Sequence, residues 1–358
     1  MLSAVRMEVL NIVIDVAVPQ PVGRRLPPPP RSGLAWWSGV FGGNWKNLQT
    51  ARGRNFDCAL AYCPGQREPG WSQFSTVGRN LGTSDFHNGG LQIFASMRLF
   101  PTDECPKALG KDVWRRAAEG AFDGHWENCA RALKTNYPNM LVLRPGWEYN
   151  MAGYQWNLTM LAATSLSAAQ RQIERDWYKT AFRRWVTIFR QLYSQDVLID
   201  WCGIERGGQA GSIDDFYPGN DVVDIIGVDM YDGQPCLSSE EIWTRDFNTT
   251  FQGGPGGVNA WLAYARSKGK PLSFPEWGVS SLGAGADRVP DNAFYIRKML
   301  EFISANAQHI AYEAYANYEG HTLDADGVVK DGVLVKNPEC RATYLNFYQS
   351  WRALATAS

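Results

Sequence analysis

Two glutamates carry the chemistry most easily read from this chain. Glu148 closes the segment Val142-Leu143-Arg144-Pro145-Gly146-Trp147-Glu148, and Glu276 lies within Leu272-Ser273-Phe274-Pro275-Glu276-Trp277-Gly278. Each segment is an apolar run of strand character that ends at a carboxylate beside a tryptophan. Two carboxyl groups delivered by separate strands are what cleavage of a glycosidic bond requires. One protonates the leaving oxygen, and the other attacks or stabilises the cationic anomeric carbon. Tryptophan offers an apolar face to a sugar ring and a desolvating wall that raises an acid's pKa. The expectation is that the fold brings Glu148 and Glu276 together.

The elements able to do this alternate along the chain. Short apolar runs at 39–43, 58–62, 91–99, 140–145, 197–202, 222–229, 271–275 and 310–316 predict eight buried strands. Helical patterns fall at about 111–135, 167–194, 238–246, 256–268 and 291–307, while the link between the second and third strands is loop-rich. With no glycine-rich dinucleotide fingerprint, this alternation predicts a single (β/α)8 barrel of the α/β class over residues 33–358. Residues 1–32 stand apart and contain the run Pro27 to Pro30, which reads as a leader or flexible Pro-rich arm. Its apolar stretch from Val9 to Val18 is interrupted by Asn11 and Asp15, too short and polar to span a bilayer. It also lacks the flanks of a signal peptide.

Composition narrows the function classes. With 35 basic and 36 acidic side chains the net charge is −1, so nothing pulls the chain toward nucleic acid or an anionic membrane. Four scattered histidines and the lack of any CxxC pair predict no metal site, and no cofactor is expected. The seven cysteines suit up to three disulfides or a set of buried thiols. The expected partner is a poly- or oligosaccharide and the expected state a monomer. Substrate type favours a secreted or periplasmic location, although no clear signal peptide supports one.

In a barrel of this kind, residues at the carboxyl ends of the strands face one shared site. That rule nominates Asn44 after the first strand and Arg144, Trp147 and Glu148 after the fourth. It adds Trp201 from the fifth, Asp229 and Tyr231 from the sixth, and Glu276 and Trp277 from the seventh. Asp200 reads as a residue at the edge of the core, Glu313 as structural or solvent-facing, and His87 falls on the opposite face.

The sequence resembles glycoside hydrolase family 26, the β-mannanases and related endo-glycanases. Three pieces carry the resemblance: Arg144-Pro145-Gly146-Trp147-Glu148, the segment from Tyr217 to Tyr231, and Glu276-Trp277-Gly278. Ser38-Gly39-Val40-Phe41-Gly42-Gly43 is similar to the family's first strand, so the likeness spans about residues 36–320. It implies a retaining double displacement with Glu148 as acid/base and Glu276 as nucleophile. Tyr231 would hydrogen-bond the nucleophile, Arg144 would steady the carboxylates, and Trp201 and Trp277 would line sugar subsites. The family has His immediately before the acid/base, and this chain has Trp147. That departure leaves open a glycosidase acting on a bacterial exopolysaccharide, and a non-catalytic carbohydrate-binding barrel is the alternative of a different class.

Overall fold

The computed structural model describes residues 24–63, 70–78, 81, 84–101, 103–104, 112–151, 154, 156, 166–207, 211–233, 236–280 and 289–351. Eight parallel strands form a closed barrel: β1 (Trp37–Phe41), β2 (Cys58–Cys63), β3 (Gln92–Met97), β4 (Val142–Pro145), β5 (Leu198–Ile204), β6 (Ile225–Tyr231), β7 (Leu272–Gly278) and β8 (Ile310–Ala316). Each pairs with its neighbours in sequence, and β1 closes the ring against β8. All eight predicted strands are present. Their near-continuous apolar character follows from burial on both faces, inside the barrel and under the helices.

Trp37, Phe94, Val142, Leu198, Ile225 and Tyr312 form one apolar cluster, and a larger one joins the outward strand faces to the helices. The long helix Ala168–Leu192 starts at a capping box, with Ser167 and Gln170 satisfying each other's backbone N–H groups. It buries Tyr178, Phe182, Trp185 and Phe189 along one stripe. Ser239 and Asn292 cap Glu240–Asp246 and Ala293–Ala305 more simply, each side chain accepting from one first-turn amide, Ile242 and Tyr295 respectively. The pattern at 111–135 divides into Val113–Ala118 and Asp123–Asn136. A further helix, Pro338–Ser350, packs Tyr344 and Tyr348 beneath β8 and β1 neighbours.

The Pro-rich arm and the cysteines can be placed in part. Of the arm assigned to residues 1–32, positions 1–23 lie outside the described residues, but 24–32 dock on the barrel. Trp37 Nε1 donates to Pro27 O at 2.7 Å, and the Arg31 and Ser32 amides donate to Asp57 Oδ1 at 2.8 Å. Cys58, Cys63, Cys129, Cys202, Cys236 and Cys340 are buried free thiols. Cys105 lies outside the described residues.

One irregularity positions the site. Between Phe274 and Trp277, β7 advances three residues while β8 advances two, from Glu313 to Tyr315. The same slip occurs against β6 between Ser273 and Trp277. The extra residue is a bulge, and Pro275, which has no N–H to give the ladder, lies within it. Ser273 points inward, where it bonds Asp200 across the barrel, and the bulge lets Glu276 point inward as well.

Candidate active site

The carboxyl ends of the strands surround a cavity of about 640 Å³, into which Glu148 and Glu276 project. Glu148 follows a tight turn. Gly146 has φ +57°, and a Cβ there would sit 2.8 Å from Leu99 Cδ1, so the turn has room for glycine alone. Glu148 itself has φ +51°, a conformation disfavoured for a side chain of its size and held here by the surrounding fold.

Arg144, two pleats below on β4, is fully buried and organises the floor. Its Nη1 and Nη2 donate to Glu276 Oε1 at 3.1 and 3.2 Å, Nη1 also donates to Ser96 Oγ at 2.9 Å, and Nη2 touches Asp229 Oδ2. Tyr62, from the end of β2, donates to Glu276 Oε1, and Tyr231 donates to Oε2 at 3.3 Å. Both oxygens of Glu276 are therefore held. Carboxylate oxygens of Glu148, Asp229 and Glu276 all lie within 4.8 Å of one another. Among the described residues this is the one group of acids close enough to share a cation, and Arg144 already supplies one.

Three carboxyl groups against one guanidinium cannot all be ionised cheaply in a dry site. Burial pushes Glu148 up, the charge of Glu276 pushes it further, and its pKa reaches about 8 despite Arg144 and bonds from Asp229 and Tyr154. Asp229 is raised well above the ordinary carboxylate range by burial, with both glutamates adding to the effect against Arg144. Glu276 moves the other way. Burial opposes its charge, yet Arg144 and hydrogen bonds from Asp229, Tyr62 and Arg144 together hold it below its usual value. At neutral pH an ionised Glu276 rests on the arginine, with a protonated Glu148 beside it.

The aromatic wall differs from the expected one. Trp147, Trp201 and Trp277 are 0, 1 and 0 % exposed and do not line the cavity. Trp201 faces the helices, stacking on Tyr149 and donating to Tyr178 Oη at 2.8 Å. Trp277 donates to Glu313 Oε2 at 2.7 Å, behind the barrel wall. The open faces belong instead to a belt of rings linked by edge and tilted contacts. From Tyr154 it runs through buried Trp147 to Tyr62, Phe41, Tyr318, His321 and Tyr231, with centroids 4.7–5.4 Å apart. Asn44 is also outside the cavity: its side chain caps the helix Trp45–Arg52 by accepting from the Asn47 amide. Asp229 and Arg144 are buried beneath the floor with no exposed surface.

Several cavity residues escape sequence reading, Tyr62 and Glu205 among them. Tyr62 ends a strand otherwise composed of small and apolar residues, and nothing in its neighbourhood marks it. Glu205 follows β5 and lines the same cavity; burial raises its carboxyl to about 7, against hydrogen bonds from the Glu205 and Tyr231 amides.

Comparison with known proteins places this architecture. No protein-family model matches the sequence, and no curated protein matches it. The fold is similar to that of the YdhT protein from Bacillus subtilis, at 13% identity and a TM-score of 0.56 over 90% of this chain and 86% of that one. It is similar to a GH26 β-mannanase from Bacteroides ovatus, at 13% identity and 0.54 over 88% of each chain. The catalytic domain of a Bacillus sp. JAMB-750 GH26 endo-β-1,4-mannanase gives 18% identity and 0.53 over 88% and 86%. At these identities the likeness is one of fold, extending over nearly the whole length of each partner.

Proposed function

We propose that the protein is a retaining glycoside hydrolase that cleaves a β-linked glycan by double displacement. The observation that carries the reading is the pairing of two carboxyl groups, within 4.8 Å oxygen to oxygen, that are held in opposite protonation states at the mouth of a barrel. Retaining enzymes hold their pair about 5–5.5 Å apart, and inverting enzymes leave room for a water at about 6.5–9.5 Å. The mannanase folds similar to this chain support the same reading.

In this scheme Glu276 attacks the anomeric carbon. Tyr62, Tyr231 and Arg144 keep it ionised and fix its oxygens before the substrate arrives. Glu148 gives its proton to the departing glycosidic oxygen. Once the glycosyl–enzyme ester forms, the charge on Glu276 is gone, so the pKa of Glu148 falls and it can take a proton from the incoming water. The tyrosine-rich belt supplies ring faces for the sugars.

Mannan-type polymers are the first substrates to test, on the resemblance and on the fold. A related glycan is the second reading, favoured by Trp147: the ring at the place of the family's His is sealed from the cavity and offers no hydrogen bond to a sugar there. The non-catalytic alternative called for separated carboxylates, whereas these are in mutual range. The experiment is hydrolysis of galactomannan, manno-oligosaccharides and a panel of bacterial exopolysaccharides, with the first-formed anomer read by proton NMR. A β-anomer from a β-linked substrate is expected, and azide should partly rescue Glu276→Gly. Near-normal turnover by both Glu148→Gln and Glu276→Gln on whatever the wild type cleaves would end the assignment.

A further inference from the structure

The opposite end of the barrel carries a second cavity, of about 600 Å³, a size that encloses small organic ligands. It lies where β1, β7 and β8 begin, far from the carboxyl ends that hold Glu148 and Glu276, so the mechanism above makes no use of it. The docked arm forms one wall with Pro27 to Pro29, and Trp36 forms part of another.

Its polar groups are one-sided. Arg25, Arg266, Lys270 and His309 line it, and no acidic side chain does among the described residues. Neither arginine is held in an ion pair with a described carboxylate. Lys270 is anchored at the rim, donating to Asn220 O at 2.8 Å, and feels Asp224 and Asp221 behind it. The field inside is positive enough to act on its own members: after burial, Arg266 and Arg25 lower the pKa of His309. Trp36 contributes ring surface to the wall, while its indole N–H, which has no hydrogen-bond partner, is itself shielded from the cavity.

We infer that this basal cavity binds a compact anionic ligand, a phosphate or carboxylate group carried on a sugar-sized body, with Arg25 and Arg266 taking the charge. A guanidinium pair suits such oxygens because each fork presents parallel N–H donors. The proline and tryptophan walls contact the uncharged body. The underside of a barrel ordinarily serves stability alone, so a ligand here gives the protein a second site separate from its cleft.

The test uses the full chain and isothermal titration with glucose 6-phosphate, glucuronic acid and, as the neutral control, glucose. Saturable binding of at least one of the two acids, with none of glucose, is expected. The double variant Arg25→Gln/Arg266→Gln should weaken it by about tenfold or more, since it removes both charge-assisted donors. Flotation with phosphatidylglycerol vesicles but not phosphatidylcholine vesicles, lost in the same double variant, would place the anionic group on a lipid. No binding of any anion, or equal binding by wild type and double variant, overturns the inference. Hydrolysis by the cleft is a separate readout, so neither result bears on the roles of Glu148 and Glu276.

Discussion

Two sets of buried acids, a few residues apart on neighbouring strands, behave in opposite ways. Glu313 on β8 is sealed between the barrel wall and the helix Pro338–Ser350. Its Oε1 accepts from Ser38 Oγ at 2.6 Å and Tyr348 Oη at 3.0 Å, and its Oε2 accepts from Trp277 Nε1 at 2.7 Å. Asp200, inside the barrel, accepts from Ser273 and Tyr312 at 2.7 and 2.5 Å. Each of these acids has its own neutral donors and no other carboxylate bonded to it. Glu148, Asp229 and Glu276 instead crowd within 4.8 Å around one arginine, and the two glutamates open onto a cavity. Burial raises acids in both sets. What separates a candidate catalytic group from a structural one is the competition among like charges for a shared cation. Arg144 and its neighbouring hydrogen bonds lower Glu276, while burial and then the charge of Glu276 raise Glu148.

The strongest way to break this contrast is to remove its charged members. Glu276→Gln should reduce turnover by on the order of 10⁴-fold, as for loss of a nucleophile in a concerted catalytic set. Glu148→Gln should cost about 10²–10⁴-fold, the range for general acid–base assistance. Steady-state rates on a cleaved glycan measure both. Losses below tenfold in either would mean that the crowding has no bearing on catalysis.

The next effect is on pH. Glu148 must carry its proton when free enzyme meets substrate, so kcat/KM should fall as pH rises through about 8. The acid limb belongs to Glu276, which must be ionised, and should lie below the ordinary glutamate value. Because the charge of Glu276 helps raise Glu148, the Glu276→Gln variant should show Glu148 titrating lower, visible by carbon-13 NMR of its labelled carboxyl. An unmoved Glu148 would place the whole shift on burial and remove the coupling from the scheme.

Tyr62→Phe sharpens the same point with a smaller loss. It deletes a hydrogen bond that favours ionised Glu276, so the acid limb should move to higher pH while the basic limb stays near 8. Hydrogen bonds to charged groups contribute about 1.5–3 kcal/mol, which corresponds to roughly tenfold or more in kcat/KM near the acid limb. A drop in rate with an unshifted limb would make Tyr62 a packing residue only.

Much of this was legible in the chain. The eight strands stand out because a parallel strand buried on both faces is a compact apolar run, and no helix of that length competes. Glu148 and Glu276 follow from their strand-end positions. The tryptophan walls were misread for a reason the sequence itself contains. Adjacent residues on a strand point to opposite faces, so an inward Asp200 puts Trp201 among the helices, and an inward Glu276 does the same to Trp277. Simple alternation from Ser273 would still have failed, because the bulge at Pro275 inserts a residue. Tyr62 and Glu205 were invisible for a different cause. Their importance lies in what reaches them, from β7 and from the end of β6, and no local pattern records a contact more than two hundred or about twenty-five residues away.

Glu313→Gln tests the quiet half of the contrast. Glutamine offers one acceptor where glutamate offers two, and its amide must face either the Trp277 N–H or the hydroxyls of Ser38 and Tyr348. Facing Trp277, it sets donor against donor. Facing the hydroxyls, it requires them to accept, while Arg52 Nη1 already donates to Ser38 Oγ at 3.0 Å. One donor is left without its bond either way, at a cost of about 1–3 kcal/mol in unfolding free energy. Urea denaturation should register that loss. The pH profile of hydrolysis should keep both limbs, since Glu313 bonds only to residues behind the wall and to none of the three acids at the mouth. A shifted limb in this variant would show that the two sets of acids communicate through Trp277 and β7, and the division between structural and catalytic carboxyls would have to be redrawn.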